Sequence, residues 1–592
     1  MNQSGSFTRK IVYIAIIGGL LIPLSLVSRP ATRDKANAIA DPGGVLSQLR
    51  DENDLSPAKL TEIDPGSETM KLASLGLRGL AVNLLWMKAI QAKEEKEWDT
   101  FASTLNSLVK IQPNFIRVWE YQGHNLSYNV AVEFDDYEQR YHWIKKGIDF
   151  LTEGIAYNRR DHRIIDNLGM FCGNKFGTAD ERIQYRALFR NDDVFHDRMS
   201  QFVDIDKINT PYGPDHWLLA YQWYARSLDM VEKGVDGDKV QKFRKDMIYY
   251  QYKPSQLRNM GLSMHDEFRS DEFAQANWDR AHEEWLDYGN RPIRWERDPM
   301  RPAVTLESMT DSMQEVQNLR EELDELAPGA RNQLLSTTMA ALTPEDRDLL
   351  TRPIDSLSDE ELERVQRLDE LLYKRDEIDR QIVDSVPADK QREAEALFNR
   401  LSEEQFKIQI GSNFRSTMNY DHWRDHTYVE STDEGIAARQ FEFDASELKR
   451  RSLLDEYTVR NPITGEEQVS AGAIQNFDNA FSIWADVIVD FPGLRRGPLM
   501  DDMVDRMKEY MVVREAAGKD AWPDDFVLQD VVDYRFGKNN FFDELPTSED
   551  VARRYESRQK INRLRLPDRP NIDFQLNPEP AAAEPAGGDE VQ

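Results

Sequence analysis

The feature that most constrains the fold is the spacing of apolar side chains between Glu68 and about Met300. Tryptophan, tyrosine and leucine recur there every third or fourth residue, whereas the strict alternation of a half-buried strand is nearly absent. A helix whose apolar side chains share one face must bury that face against other helices. The sequence therefore predicts an all-α fold, with one helical block over residues 58–300 and a second over residues 411–565.

One helix of the first block carries a glycine on its apolar face. In the segment IRVWEYQGHNLSYN, residues 116–129, the side chains of Trp119, Gln122 and Leu126 share a face with Gly123. Glycine inside a helix costs about 1 kcal/mol relative to alanine. Its presence indicates a place where a second helix passes too close for a side chain. We expect Gly123 to mark the crossing point of a helical hairpin.

The same spacing of large, medium and small residues returns elsewhere in the chain. The positions that carry it are Trp119, Gly123, Leu126, Gly147, Gly154, Ile165, Gly169, Ala480, Trp484 and Pro492. As a set they resemble the tetratricopeptide repeat in a degenerate form, and the layout resembles bacterial signal-anchored proteins with such repeats. The resemblance implies a TPR-like solenoid of α-hairpins. Trp119 and Gly147 are separated by about twelve residues more than in the standard repeat, so the solenoid is expected to be irregular.

The resemblance also implies a function in protein–protein interaction. A solenoid of this kind presents a concave groove to a partner helix or extended peptide. We expect Tyr121, His124, Asn125 and Tyr128 to contact the partner there. The implied protein is a scaffold of an envelope-associated complex, with a protein partner of unknown identity and without enzymatic activity. A generic all-α domain with aromatic core stripes is the alternative.

The middle and the end of the chain differ from the two blocks in composition. Residues 301–410 are rich in charge and poor in aromatic side chains, and they predict a long charged hairpin of a helix over 306–326 and another over 358–382. This insertion would serve as a partner surface or as a spacer, and the sequence leaves both open. Residues 566–592 consist largely of proline, alanine, glycine and acidic residues, and they predict a disordered tail.

The amino terminus predicts a membrane anchor. The apolar run Ile11–Val27 follows Arg9 and Lys10, which is the composition of an export signal. Pro30 lies where a cleavage site would be expected, so an uncleaved transmembrane helix over residues 1–30 is favoured over a cleaved signal. A linker would follow over residues 31–57. We expect a single-pass membrane protein whose bulk lies on the extracytoplasmic, periplasmic side.

Charge and cysteine content exclude several classes of function. The chain has 75 Lys and Arg against 106 Asp and Glu, a net charge of −31, which repels the phosphates of nucleic acids. Its single cysteine, Cys172, allows neither an intrachain disulfide nor a cysteine-based zinc site. The sequence has no phosphate-binding glycine loop and no nucleophile elbow. We therefore predict no cofactor and no nucleic-acid partner.

One segment, DHWRDHTYVE, offers a different reading. His422 and His426 are four residues apart and Glu430 follows at the same spacing, so the three would share a helix face and could hold zinc. The alternative function is thus an extracytoplasmic metal-binding protein or enzyme; a carbohydrate-binding envelope protein is a third reading. Trp423 stands where the catalytic glutamate of a zinc protease would be. The favoured interpretation is an exposed histidine pair beside acidic residues.

Overall fold

Helices make up most of the fold, which we describe from a computed structural model. The structure describes scattered residues between 12 and 52, the stretches 78–235, 248–293, 303–352, 375–460, 466–495 and 497–529, single residues between 361 and 368, and residues 531–532. Within these residues the strands form only short pairs, so the predicted all-α class is confirmed. The chain divides into two compact units, Met1–Ser263 and Met264–Gln592.

The first unit consists of helices and two short antiparallel strand pairs. Its helices are α1 (Val45–Glu52), α2 (Arg78–Glu94), α3 (Trp98–Ile111), α4 (Ile116–His124), α5 (Tyr137–Tyr157), α6 (His162–Met170), α7 (Arg182–Arg190), α8 (Asp193–Met199), α9 (His216–Glu232) and α10 (Tyr250–Glu267). The boundary between the units falls within α10, so Met264–Glu267 belong to the second unit. Its strands are β1 (Thr32–Arg33) with β2 (Ile39–Asp41), and β3 (Asn209–Thr210) with β4 (Gly213–Pro214).

Helices α4 and α5 form an antiparallel hairpin that crosses at glycines. Helix α4 continues as a π-helical segment (Asn125–Val130) and a short 3₁₀ turn, so the chain stays helical as far as Glu133. Asp136 caps α5 by accepting a hydrogen bond from the backbone N–H of Gln139 at 3.1 Å. The extra residues between Trp119 and Gly147 therefore lengthen both helices instead of forming a long loop.

The contacts between α4 and α5 leave no room for side chains at three glycines. A Cβ on Gly123 would lie 2.8 Å from Leu151, and one on Gly154 would lie 2.9 Å from the ring of Trp119. A Cβ on Gly147 would lie 2.7 Å from the carbonyl oxygen of Gly123. Both partners of the crossing thus carry glycine, which is the geometry that a close helix–helix approach requires.

Helices α6 and α9 pack together in the same way. Helix α6 starts 46 residues after α4 (at 162 and 116), and each runs for nine residues before a π-helical segment, which in α6 is Phe171–Lys175. A Cβ on Gly169 would lie 3.0 Å from the ring of Tyr224, and one on Gly173 would lie 3.0 Å from the ring of Trp217. The first unit therefore contains the same helical element twice, each time closed by an antiparallel partner.

The second unit contains the remaining helices and one further strand pair. Its helices are α11 (Glu272–Gly289), α12 (Met309–Leu326), α13 (Ala330–Ala341), α14 (Pro344–Thr351), α15 (Arg375–Ser385), α16 (Gln391–Met418), α17 (Tyr420–Ser431), α18 (Asp433–Arg450), α19 (Ala473–Asp490) and α20 (Pro498–Ala516). Strand β5 (Tyr457–Arg460) pairs antiparallel with β6 (Glu467–Ser470), and Tyr457 lies opposite Ser470.

The charged middle segment combines the predicted helix pairing with a further long helix. Helix α12 carries the predicted apolar stripe, and its Val316 and Leu319 pack against Leu397 and Leu401 of α16. The sequence pairs this stripe with the segment 358–382, which lies partly outside the described residues; in its described part Ile378 and Ile382 share an apolar cluster with Leu323 of α12. Position 410, the predicted end of the insertion, falls inside α16. Helices α18 and α19 pack on each other around the main apolar core of the unit.

Most of the predicted terminal segments lie outside the described residues. This holds for much of the anchor over 1–30, for much of the linker over 31–57 and for the whole tail over 566–592. Within the part of the chain that the structure describes, no helix combines the length and the apolar character needed to cross a bilayer.

Candidate functional site

The residues predicted to contact a partner lie together on α4 and its π segment. We name Tyr121, His124 and Tyr128 the α4 strip. The ring of Tyr121 is 36% exposed and lies 5.0 Å from the ring of Trp86 in α2. The His124 imidazole stacks on Tyr128, with ring centroids 4.5 Å apart, and Tyr128 meets the edge of Phe171 in the next helical element. The strip thus places three aromatic rings on one segment, in contact with Trp86 of α2 at one end and with the buried Phe171 at the other.

Two lysines place positive charge on this aromatic surface. Lys93 of α2 lies 5.7 Å from the ring centroid of Tyr121, and Lys175 lies 4.5 Å from that of Tyr128, which is cation–π geometry. Burial and the charges of Lys175 and Lys93 lower the pKa of His124, so its imidazole is neutral at pH 7. Burial also lowers the pKa of Lys175. The positive charge of this surface thus comes from Lys93 and Lys175, on a chain whose net charge is −31.

Asn125, the fourth predicted contact residue, lies beneath the strip. It is 1% exposed, and its amide nitrogen donates to the carbonyl oxygen of Tyr121 at 2.9 Å. Its Oδ1 accepts from Lys93 Nζ at 3.0 Å and also from Asn129. Asn125 therefore holds Lys93 in place instead of presenting its own side chain to a partner.

Most of the residues that carry the repeat-like spacing are core residues. Trp119 is fully buried, and its indole nitrogen donates to the carbonyl oxygen of Pro113 at 2.8 Å. Buried as well are Leu126, Gly147, Gly154, Ile165, Gly169, Ala480 and Trp484. The backbone of Pro492 begins a 3₁₀ turn just after α19.

The histidine segment is buried in the second unit, and here the favoured sequence interpretation is wrong. His422 is 5% exposed and His426 is 0% exposed, so they are not a surface pair. His426 Nε2 lies 3.3 Å from Glu430 Oε1, as the spacing predicts, and His265 Nε2 of α10 lies 3.2 Å from Glu430 Oε2. Acidic residues next to the two histidines in the chain do not indicate that the histidines are exposed, because adjacent residues of a helix point in different directions.

Glu430 is the centre of a buried ionic cluster, which we name the Glu430 network. Arg439 of α18 binds both oxygens of Glu430 and also donates to Glu442, at 2.8 Å, and to Asp502. Burial alone would raise the pKa of Glu430, but Arg439 and His265 hold it well below its ordinary value. The carboxylate is therefore ionised and already occupied by cationic and histidine partners.

This occupancy decides what the histidine segment can do chemically. Glu430 is the carboxylate that a zinc site at His422 and His426 would need, and Arg439 already holds both of its oxygens. No group of three or more histidine, cysteine, aspartate or glutamate side chains among the described residues is arranged to hold a metal ion. Cys172 is fully buried, and burial raises the pKa of its thiol, so it is not a poised nucleophile.

The sequence interpretation missed the charges that complete both clusters. Lys93 contacts Asn125, which lies 32 residues later in the chain, and Lys175 contacts Tyr128, which lies 47 residues earlier. Only the fold brings these pairs together. The burial of Arg439 could have been predicted from the sequence, because it lies on the same face of α18 as Ile436 and Glu442, which are also buried. A charged residue on a buried helix face indicates a buried counter-charge.

Comparison with known proteins adds no assignment. No family model matches the sequence, and neither a curated protein nor a solved structure matches it.

Proposed function

We propose that this protein is a helical scaffold that binds a segment of another protein and carries out no bond chemistry itself. The observation that carries the proposal is the α4 strip, in which exposed aromatic rings lie between Lys93 and Lys175. Aromatic rings supply contact area at low entropic cost, and they are enriched at protein interfaces. The glycine crossings beneath the strip fix its backbone, so the surface is formed before a partner arrives.

The charge of the strip favours an acidic segment as the partner. Lys175 contacts the ring of Tyr128 and makes no ion pair with a carboxylate among the residues described, and the oxygen that Lys93 contacts belongs to an amide. Both ammonium groups can therefore receive carboxylates of a partner without first breaking a salt bridge. An extended segment that combines acidic and aromatic or aliphatic side chains would match both features of the surface.

The location that we propose rests on the sequence. The apolar run Ile11–Val27 and the preceding Arg9 and Lys10 support an uncleaved anchor with the helical units on the extracytoplasmic side. The TPR-like arrangement is supported by the glycine spacing and by the repeated α4 and α6 elements. Together these features support a role in assembling an envelope-associated complex, where the anchor confines the search for partners to the membrane surface.

A charge reversal on the strip tests the proposed function. The full chain carrying Lys175→Glu is crosslinked in membranes of its native host, and recovered partners are quantified by mass spectrometry. The matched control is Lys146→Glu, since Lys146 also lies over an aromatic ring, 4.2 Å from the centroid of Trp143, but outside the strip. We expect Lys175→Glu to reduce recovery of a specific partner about tenfold, a loss of about 1.4 kcal/mol. Equal recovery with both variants, or no partner with the unaltered chain, would refute the proposal.

A further inference from the structure

The first unit contains a cavity of about 700 Å³ that is separate from the α4 strip. Its walls come from the last turns of α5, from the end of α8 with the residues that follow, and from α9. On α5 the lining residues include Thr152, Glu153 and Ala156, whereas Gly147 and Gly154 of the same helix face α4. By helical periodicity these two sets lie on different sides of α5. The cavity is thus a second site.

Arginines from three parts of the chain converge on this cavity. They are Arg159, which follows α5, Arg198 of α8 and Arg226 of α9. Three guanidinium groups in one cavity are unexpected on a chain with a net charge of −31. Like charges are brought together at a cost, which a bound anion or nearby carboxylates must offset. The carboxylates present in the lining therefore decide whether the site is already neutral.

The carboxylates of the lining do not neutralise all three arginines. Asp149 forms an ion pair with Arg198 at 2.7 Å, which neutralises one of the three arginines. Arg226 is half-buried, and the hydrogen-bond acceptor it uses is the carbonyl oxygen of Phe202 at 3.0 Å. Neither Arg159 nor Arg226 has a carboxylate within ion-pair distance in the described part of the chain, and Glu153 is exposed to solvent.

One further donor of the lining residues lacks an acceptor. The Nε atom of Arg198 is buried and has no hydrogen-bond partner among the described residues. Burial lowers the pKa of Arg226, and no carboxylate lies within ion-pair distance to offset this among the described residues. Arg226 thus has a carbonyl oxygen and the ring of Trp223 as its partners, and an anion in the cavity would add the opposite charge that both lack. The cavity also has an apolar side, formed by Ile155, Met199 and Phe202.

We propose that this cavity binds a small organic anion, in which a carboxylate or phosphate group is joined to a short apolar chain. The oxyanion binds Arg226 and Arg159, because a guanidinium presents two parallel N–H groups to such an anion. The apolar chain packs against Ile155, Met199 and Phe202. Most ligand cavities combine an apolar lining with a few placed polar groups in this way.

Probes of equal chain length separate the anion from the apolar contribution. The purified full chain is titrated calorimetrically with hexyl phosphate, hexanoate, hexylamine and hexanol. We expect saturable one-to-one binding of at least one anion, with hexanol at least about tenfold weaker and no saturable binding of hexylamine. Binding of hexyl phosphate alone identifies a phosphate ligand, and binding of hexanoate alone identifies a carboxylate ligand.

Substitutions then locate the binding. Arg226→Gln and Arg159→Gln should each weaken the anion about tenfold, while Arg160→Gln, next in sequence but outside the cavity lining, should leave it unchanged. Arg159 is exposed, so its substitution leaves folding intact and keeps the test decisive if the Arg226 variant is unstable. The proposal is overturned if neither anion binds, if hexanol or hexylamine binds as tightly as the anions, or if Arg159→Gln has no effect.

Discussion

Replacing Gly147 with alanine tests how closely α4 and α5 cross. The new Cβ would lie 2.0 Å from Ser127 Oγ and 2.7 Å from the carbonyl oxygen of Gly123. Ser127 Oγ can rotate away, but it donates to the carbonyl oxygen of Ile144 at 3.1 Å and is fully buried. The carbonyl oxygen of Gly123 belongs to the helix backbone, so it can retreat only if α4 moves as a whole.

The expected cost follows from these contacts. Overpacking in a close interface costs about 1–3 kcal/mol, and breaking the Ser127 hydrogen bond costs about 1 kcal/mol. Alanine regains about 1 kcal/mol of helix propensity over glycine. The free energy of unfolding should therefore fall by about 2 kcal/mol in Gly147→Ala, the balance of these contributions. Gly79 in α2 is the matched control, because a Cβ there would meet nothing within 4 Å.

Urea denaturation followed by circular dichroism gives the free energy for each variant, and hydrogen exchange locates the change. We expect Gly79→Ala to be stabilised by up to about 1 kcal/mol, Gly147→Ala to be destabilised, and backbone exchange to rise in α4 and α5. Gly123→Leu should disrupt the hairpin further, because Leu151 already occupies that space. If Gly147→Ala gained as much stability as Gly79→Ala, the close crossing would be refuted.

Further predictions concern buried charge. Burial raises the pKa of Asp166 in α6 to about 7 from 3.8, so the folded chain holds a proton that the unfolded chain releases. The free energy of unfolding should therefore fall as pH rises from about 4 to about 7, by up to about 4 kcal/mol. Asp166→Asn should remove this slope, which urea titrations at pH 5 and pH 8 would detect; an unchanged slope would contradict it. Arg439→Met should lower the free energy of unfolding by about 3–5 kcal/mol, because Glu430 and Glu442 stay buried without their cationic partner. Glu430→Gln should lower it by less. Since the pKa of Glu430 is held low, its contribution is present at neutral pH and lost as pH falls below 4.5; an acid-unfolding curve unchanged by Glu430→Gln would argue against the network.

The helical crossings could be predicted from the sequence because they depend on local features. Gly123 and Trp119 stand at fixed positions on one helix, and a missing side chain on an apolar face has a steric meaning that needs no tertiary information. The π-helical continuations could not be predicted in this way. No residue type in these segments requires a π-helix, so the sequence carries no local signal for it.

The exposure of individual side chains was less predictable than the helices that carry them. Tyr121 and Asn125 are both on the side of α4 away from Trp119, yet Asn125 is buried and its Oδ1 accepts a hydrogen bond from Lys93 of α2. For His422 and His426 the flanking acidic residues suggested a surface, but the helix face they share with Glu430 is buried. Burial of a helix face depends on its neighbours, and these are set by contacts distant in sequence.

The most direct test of the central claim is site-specific photo-crosslinking from the α4 strip. A photoreactive amino acid replaces Tyr121 in the full chain, and the control replaces Val194, which is 71% exposed on α8. After illumination of native membranes, the scaffold account predicts a discrete protein adduct from position 121 that disappears when Lys175→Glu is added, and no such adduct from position 194. The same adducts from both positions, or none from position 121, would contradict it.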